Sequence, residues 1–344
     1  MNSYGIDVLG SGAVVLGDDV VCDGFHKDRR VRVQTHIHDD HMGDFNTSKG
    51  FQDLLMSEAT RDLLIAEYNA DLSVRENIFA LTRHADFSVN DARVRLIPSG
   101  HMLGSVQVLV ELPNGLRIGY SGDFRWPLDD EDIMQCDALV VDSTYGSADS
   151  VREYSQEDAE TAFLELVHAK LKLGSVAVQA HRGTIHRAVN LLGLNVAAPI
   201  LCSSRLCQEV QVYQQYGAAI GTVVKDKGAD ARSAMASGRY VRLYSKGDKM
   251  PVEPKEATTI SLSAYMGRKD HPVLEYSDRA FRVALSNHAD FNGTIDYVRA
   301  TGARFVVTDN TRTYGVELAF ELMARLGIDA RPSSNEHHLS WGEG

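Results

Sequence analysis

Residues 34–45, QTHIHDDHMGDF, gather three of the chain's 13 histidines in the order His-x-His-x-Asp-His. Imidazole nitrogen and carboxylate oxygen are donors that zinc accepts. Two ions held about 3.5–4 Å apart can clamp an oxygen between them and acidify a bound water. The spacing therefore points to metal-assisted hydrolysis. In a strand, residues two apart face the same side. His36 and His38 then point together at the end of VRVQTHIH, and Asp40 and His41 reach a second position once the chain turns at Asp39. Further ligands are needed, and His101 in SGHMLGS and Asp123 in YSGDF stand at strand ends, the carboxylate suited to bridge two ions. Asp23, in VVCDG, is a strand-end carboxylate able to orient the histidine loop from behind.

The elements that must position these residues follow from pattern. VVLGDDVVCDG reads as a hairpin turning at Gly17-Asp18-Asp19, and VRVQTHIH alternates until its acidic turn. FQDLLMSEATRDLLIAEYN has helical spacing. VRLIPSG, VQVLVELPNGLRIGYSGD and ALVVDST are strands, with Asn114-Gly115 marking a tight hairpin. Then the texture changes. SQEDAETAFLELVHAKLKLG is an amphipathic helix with Ser155 as N-cap and Gly174 as stop. SVAVQA, APILCSS and TTISLSAYM are strands separated by helices such as SRLCQEVQVYQQYG. From about residue 279 strands return in AFRVALSNH and ARFVVTDN, followed by the helix GVELAFELMARLG. The predicted fold class is α/β: a β-rich body over 1–154 and 276–344, interrupted by an α/β insertion over 155–275.

Composition narrows the setting. At 344 residues with 44% hydrophobic content, the chain can build a sizeable core. No apolar run approaches the roughly 20 residues that span a membrane. The start lacks a basic, signal-like region, and Cys22, Cys136, Cys202 and Cys207 form no CxxC, so reduced thiols in a cytoplasm are expected. A net charge of -12 argues at first against a nucleic-acid partner. Its distribution qualifies that: residues 155–275 hold 15 Lys and Arg against 12 Asp and Glu, and the remainder 20 against 35. An acidic body with metal ligands and a mildly basic middle suits an anionic polymer.

His-x-His-x-Asp-His, then Gly-His, then Gly-Asp, in this order, resembles the metallo-β-lactamase superfamily. SGHMLGS, YSGDF and VVDSTYG narrow the resemblance to the β-CASP nucleases, and LSNHADFNG is similar to the bacterial and archaeal exonucleases of that branch, including the type associated with DNA ligase. The resemblance implies an αββα sandwich with a β-CASP insertion as a cap over the metal site. It also implies two zinc ions, with manganese as a substitute. His36, His38 and His101 would hold one ion, Asp40 and His41 the other, with Asp123 between. Asp142 in VVDSTYG would brace the site, His288 would protonate the leaving oxygen, and Asp290 would anchor the His288 loop. RNA-acting members carry a further zinc-binding histidine at the end of the next strand, where this chain has Asp309. DNA-acting relatives also lack it. Asp309 is thus expected to be a weak ligand and tilts the substrate toward DNA. In the insertion, Arg182, His186 and Arg187 fall where relatives carry a glycine-containing loop near the substrate; they are expected either to touch its phosphates or to form a solvated helix start.

The expected function is hydrolysis of phosphodiester bonds in single-stranded DNA, by zinc-bound hydroxide attack and in exonuclease mode. DNA repair and RNA processing are the settings it suggests. The alternatives are an RNA-processing exo- or endonuclease of the same branch, or a small-molecule metallo-hydrolase for a thioester, lactone or lactam. RHADF at 83–87 repeats the residues of 288–291 outside the motif order and is set aside, as are His337 and His338. The expected partner is nucleic acid, not membrane; the subunit number stays open.

Overall fold

Short β-branched runs such as Val14–Leu16, Val20–Cys22 and Val31–Val33 are buried along their whole length, as strands covered on both faces must be. The structure is a computed structural model that describes residues 3–68, 71–181, 183–245, 253–263, 268–312 and 314–333. Its contacts divide into two compact units: Met1–Arg61, Asp71–Val151 and His288–Gly344 in one, Asp62–Ala70 and Arg152–Asn287 in the other.

The first unit is an αββα sandwich. One sheet runs Ile6–Val8, Val14–Leu16, Val20–Cys22, Val31–Val33, Asp53–Ser57, Ile78–Leu81 in spatial order, and it is parallel from Val20–Cys22 onward. The other runs Asp329–Pro332, Phe305–Thr308, Ala138–Val141, Arg117–Tyr120, Val106–Glu111, Ala92–Pro98, Asp86–Val89. The strand period of two divides Ala138–Val141 between two cores. Ala138 and Val140 meet Val8, Leu16 and Val31 between the sheets. Leu139 and Val141 lie under the helices Phe291–Thr301 and Gly315–Leu326, against Val298, Leu318 and Leu322. Helix Phe45–Phe51 packs on the other sheet at Asp53–Ser57.

One expected helix is partly a strand. Residues 53–57, DLLMS, pair in parallel between Val31–Val33 and Ile78–Leu81, and the helix covers only Glu58–Tyr68. A short apolar run fits either period, and here the vacant sheet position decides.

The second unit is an α/β layer on a seven-stranded sheet ordered Val223–Lys225, Ile200–Cys202, Val241–Ser245, Val176–Ala180, Thr258–Ser263, Ala280–Ala284, Val273–Ser277. Its helix Gln156–Leu171 starts with a capping box between Ser155 and Asp158. The expected boundary near 276 moves. Ala280–Ala284 pairs in parallel with Thr258–Ser263, so this strand belongs to the insertion, and the body resumes at His288. A hydrophobic run signals a strand without naming its partner. The segment Asp62–Ala70 also clusters with the insertion.

Candidate metal centre

The candidate site residues of the sandwich unit sit just past the C-terminal ends of strands. Asp23 follows Val20–Cys22, His36 and His38 follow Val31–Val33, His101 follows Ala92–Pro98, Asp123 follows Arg117–Tyr120, Asp142 follows Ala138–Val141, and Asp309 follows Phe305–Thr308. Ala92–Pro98 and Arg117–Tyr120 are both antiparallel to Val106–Glu111, hence parallel to each other, and their ends share an edge. Two backbone positions make the turns possible. Gly122 has φ 53°, and a Cβ there would lie 2.7 Å from the Val106 carbonyl oxygen. Asp23 takes φ 55°, the left-handed region that non-glycine residues rarely enter.

That turn lets Asp23 hold the histidine loop. One carboxylate oxygen accepts from the Thr35 N–H at 2.8 Å; the other accepts from the Thr35 hydroxyl at 2.6 Å and lies 2.7 Å from His41 Nδ1. Beneath the loop, Arg32 and Gln34 are fully buried. Arg32 donates to the carbonyls of Gly43 at 2.7 Å and His41 at 3.0 Å, and to Gln34 Oε1 at 2.7 Å. Gln34 donates to the carbonyls of His36 at 2.7 Å and His41 at 3.0 Å. Burial lowers the Arg32 pKa to about 10, against the opposing pull of Asp23 and Asp44. Sequence reading passed over both residues. The signal was present: in VRVQTHIH, Arg32 and Gln34 alternate with valines on the face that continues to His36 and His38.

Above this network four side chains converge. His36 Nε2 is 3.0 Å from His38 Nδ1, and His101 Nε2 is 3.2 Å from the same atom. Asp123 Oδ2 lies 3.5 Å from His36 Nε2 and 3.6 Å from His101 Nε2. Tetrahedral zinc with bonds of about 2.0–2.2 Å spaces its donors about 3.3–3.6 Å apart. The donor set therefore fits one zinc ion. Burial pushes the pKa values of His36, His38 and His101 below the ordinary histidine value, which favours the neutral imidazole that binds metal. A second group adjoins it: His288 Nδ1 is 3.2 Å from Asp142 Oδ2, and His288 Nε2 is 3.7 Å from Asp123 Oδ2. Thr144 holds Asp142 Oδ1 through its N–H at 2.9 Å and its hydroxyl at 2.7 Å. Asp290 caps the helix Phe291–Thr301, accepting from the Gly293 N–H at 2.9 Å.

No protein-family model matches the chain. An uncharacterized protein from the lig 3′ region of Acidianus ambivalens is 31% identical over 131 residues, covering 38% of this chain and 93% of that protein. Transcription termination factor FttA of Pyrococcus abyssi is 35% identical over 92 residues, 24% of this chain and 14% of that protein. Endoribonuclease YSH1 of Gibberella zeae is 30% identical over 89 residues, 24% of this chain and 11% of that protein. A solved protein of unknown function from Enterococcus faecalis V583 superposes with TM-score 0.58 at 12% identity, over 83% of this chain and 76% of that one. The chain belongs to the metallo-β-lactamase superfamily, in its β-CASP branch.

In this β-CASP protein the remaining expected ligands meet a residue that sequence reading missed. Arg312 Nη1 donates to Asp40 Oδ2, its Nη2 lies 2.9 Å from His41 Nε2, and its Nε lies 3.6 Å from Asp309 Oδ2. Asp309 Oδ1 accepts from the Thr311 N–H at 2.9 Å and its hydroxyl at 2.5 Å. His41 Nε2 is also 3.3 Å from Asp123 Oδ1. Burial works against the charge of Asp40, but His41 and Arg312 outweigh it and hold the carboxyl well below the usual carboxylate range. The available signal for Arg312 was its place three residues past Asp309 in TDNTR.

The expected substrate contacts in the insertion fare differently. His186 is fully buried, with Nε2 2.6 Å from Glu209 Oε2 and its ring stacked on Tyr213. This corrects its expected role at a substrate surface: it lies on the buried face of helix Thr184–Asn195, beside Ile185 and Val189 in that unit's core. Arg187 is ion-paired with Glu160 and donates to Asn287 Oδ1 at 3.2 Å. Arg182, His337 and His338 lie outside the described residues. His84 of RHADF lies 3.1 Å from Asp132, away from the His101 cluster's partners. All four cysteines are buried thiols, and no described helix is long and apolar enough to cross a membrane.

Proposed function

We propose that this protein is a zinc-dependent nuclease that hydrolyses phosphodiester bonds of single-stranded DNA. The observation that carries the reading is the convergence of His36, His38, His101 and Asp123 at donor spacings of 3.0–3.6 Å, next to the His288–Asp142 pair. A zinc ion bound there supplies a water acidified toward neutral pH and neutralises charge on the phosphoryl oxygens. The chain's own groups do the rest. Asp40 orients the attacking water. Asp142 accepts a hydrogen bond from Nδ1–H of the His288 imidazolium at 3.2 Å, which directs Nε2–H toward the centre to protonate the departing oxygen and leaves a neutral imidazole. Burial disfavours the His288 imidazolium, but Asp123 and Asp142 outweigh it and hold the pKa above the ordinary histidine value. That supports a proton donor near neutral pH.

Asp309, standing where RNA-acting relatives carry a histidine, favours DNA over RNA. The LSNHADFNG resemblance favours an exonuclease. The name of one relative, endoribonuclease YSH1, favours RNA as the second reading. Purified protein with end-labelled single-stranded DNA and RNA, with and without a chelator, tests all of this. The expected result is chelator-sensitive cleavage, faster on DNA, releasing products from an end. A tenfold preference for RNA overturns the DNA choice, and chelator-insensitive cleavage overturns the metal.

A further inference from the structure

We infer that the guanidinium of Arg312 takes the place of the second metal ion, so that this chain holds one ion and one fixed organic cation. The inference rests on reading the first donor set as a zinc site. Two donor atoms that would bind a second ion, Asp40 Oδ2 and His41 Nε2, are the atoms that face Arg312 Nη1 and Nη2, the latter pair at 2.9 Å. The third candidate, Asp309, turns Oδ2 to Arg312 Nε at 3.6 Å and commits Oδ1 to Thr311. Three guanidinium nitrogens thus face the three side chains expected to hold a second ion.

The tautomer agrees. His41 Nδ1 lies 2.7 Å from the Asp23 carboxylate, and in the tautomer that donates its proton there Nε2 faces Arg312 Nη2 as an acceptor at 2.9 Å. Electrostatics agree as well. A guanidinium is not deprotonated in proteins, and Arg312 is paired with the carboxylates of Asp40 and Asp309. In the first set imidazole nitrogen faces imidazole nitrogen at 3.0 and 3.2 Å, spacing that an ion resolves. The two positions are therefore built for different cations. A guanidinium carries five N–H donors, so Arg312 can hold its three protein partners and still present a donor to a phosphate oxygen. It cannot acidify water, which leaves activation of the nucleophile to the first position alone.

Metal stoichiometry tests this without reference to activity. The full-length protein is saturated with zinc, dialysed and measured by mass spectrometry for zinc per chain, beside Arg312→Gln. The expected values are one in the wild type and two in the variant. The variant should also gain thermal stability from zinc beyond the first equivalent, because Asp40 and Asp309 lose their cation. Two zinc ions in the wild type overturn the inference and leave the first donor set standing. A folded variant that still binds one also overturns it. No zinc in the wild type removes the first site and the inference together. Should Arg312→Gln fail to fold, the wild-type stoichiometry decides.

Discussion

His36, His38 and His101 meet one carboxylate, Asp123, whereas Asp40, His41 and Asp309 meet a guanidinium. The first side collects imidazoles whose pKa values burial lowers, and a buried lone-pair cluster is costly without a cation to bind it. The second side collects two carboxylates and answers them with a covalently attached charge. The difference teaches that a side chain's type at a motif position does not by itself fix what it meets. The same Asp and His that could hold an ion serve equally well as acceptors for arginine.

The comparison breaks most sharply at Asp123, which serves both sides at 3.3–3.6 Å. Asp123→Asn should lower the cleavage rate by about 10³, the upper end for one preorganised electrostatic group, and release the zinc. Steady-state rates with metal analysis check this; near-normal cleavage would place the chemistry elsewhere. Asp40→Asn touches only the second side. About a hundredfold loss of rate is expected, with the first-side zinc retained. Loss of that zinc would mean the two sides cannot be separated.

A smaller effect probes the support behind the ligands. Asp23 holds Thr35 and His41, so Asp23→Asn should weaken zinc binding by roughly 10- to 100-fold, the range for groups that orient a metal's ligands. Competition with a chromophoric chelator reads it out. The smallest effect on catalysis is expected for a buried histidine outside the centre. His186→Phe keeps the stack on Tyr213 and leaves Glu209 without its imidazole. It should lower the unfolding midpoint while leaving the cleavage rate of the folded protein unchanged. A rate loss there, with stability intact, would return His186 to the substrate.

Much of the centre was readable because its ligands are short-range. His36, His38, Asp40 and His41 lie within six positions, and strand geometry alone groups the first two. Asp23, His101 and Asp123 were legible as polar residues at the ends of hydrophobic strands, and Asp142 through the resemblance of VVDSTYG. The helix at Ser155 was legible from its cap, and the hairpins from their turns. What failed shares another character. The strand Asp53–Ser57 was read as helix, Ala280–Ala284 was given to the wrong unit, and His186 was taken for a surface residue. Each error concerns which neighbour a segment meets.

The sequence by itself determined the donor inventory and the order of the strands that carry it, since residue type and local period are properties of adjacent positions. It also determined that the donors offered to a metal would be His and Asp rather than Cys. Only the tertiary structure decided how those donors are shared. Arg312 lies 272 residues from Asp40 along the chain and donates to its carboxylate. His288 lies 146 residues from Asp142 and meets it at 3.2 Å. A pairing across such separations depends on which strand ends a sheet brings to one edge, and that is settled by the burial of whole strands and helices. No local pattern around Arg312 could record it.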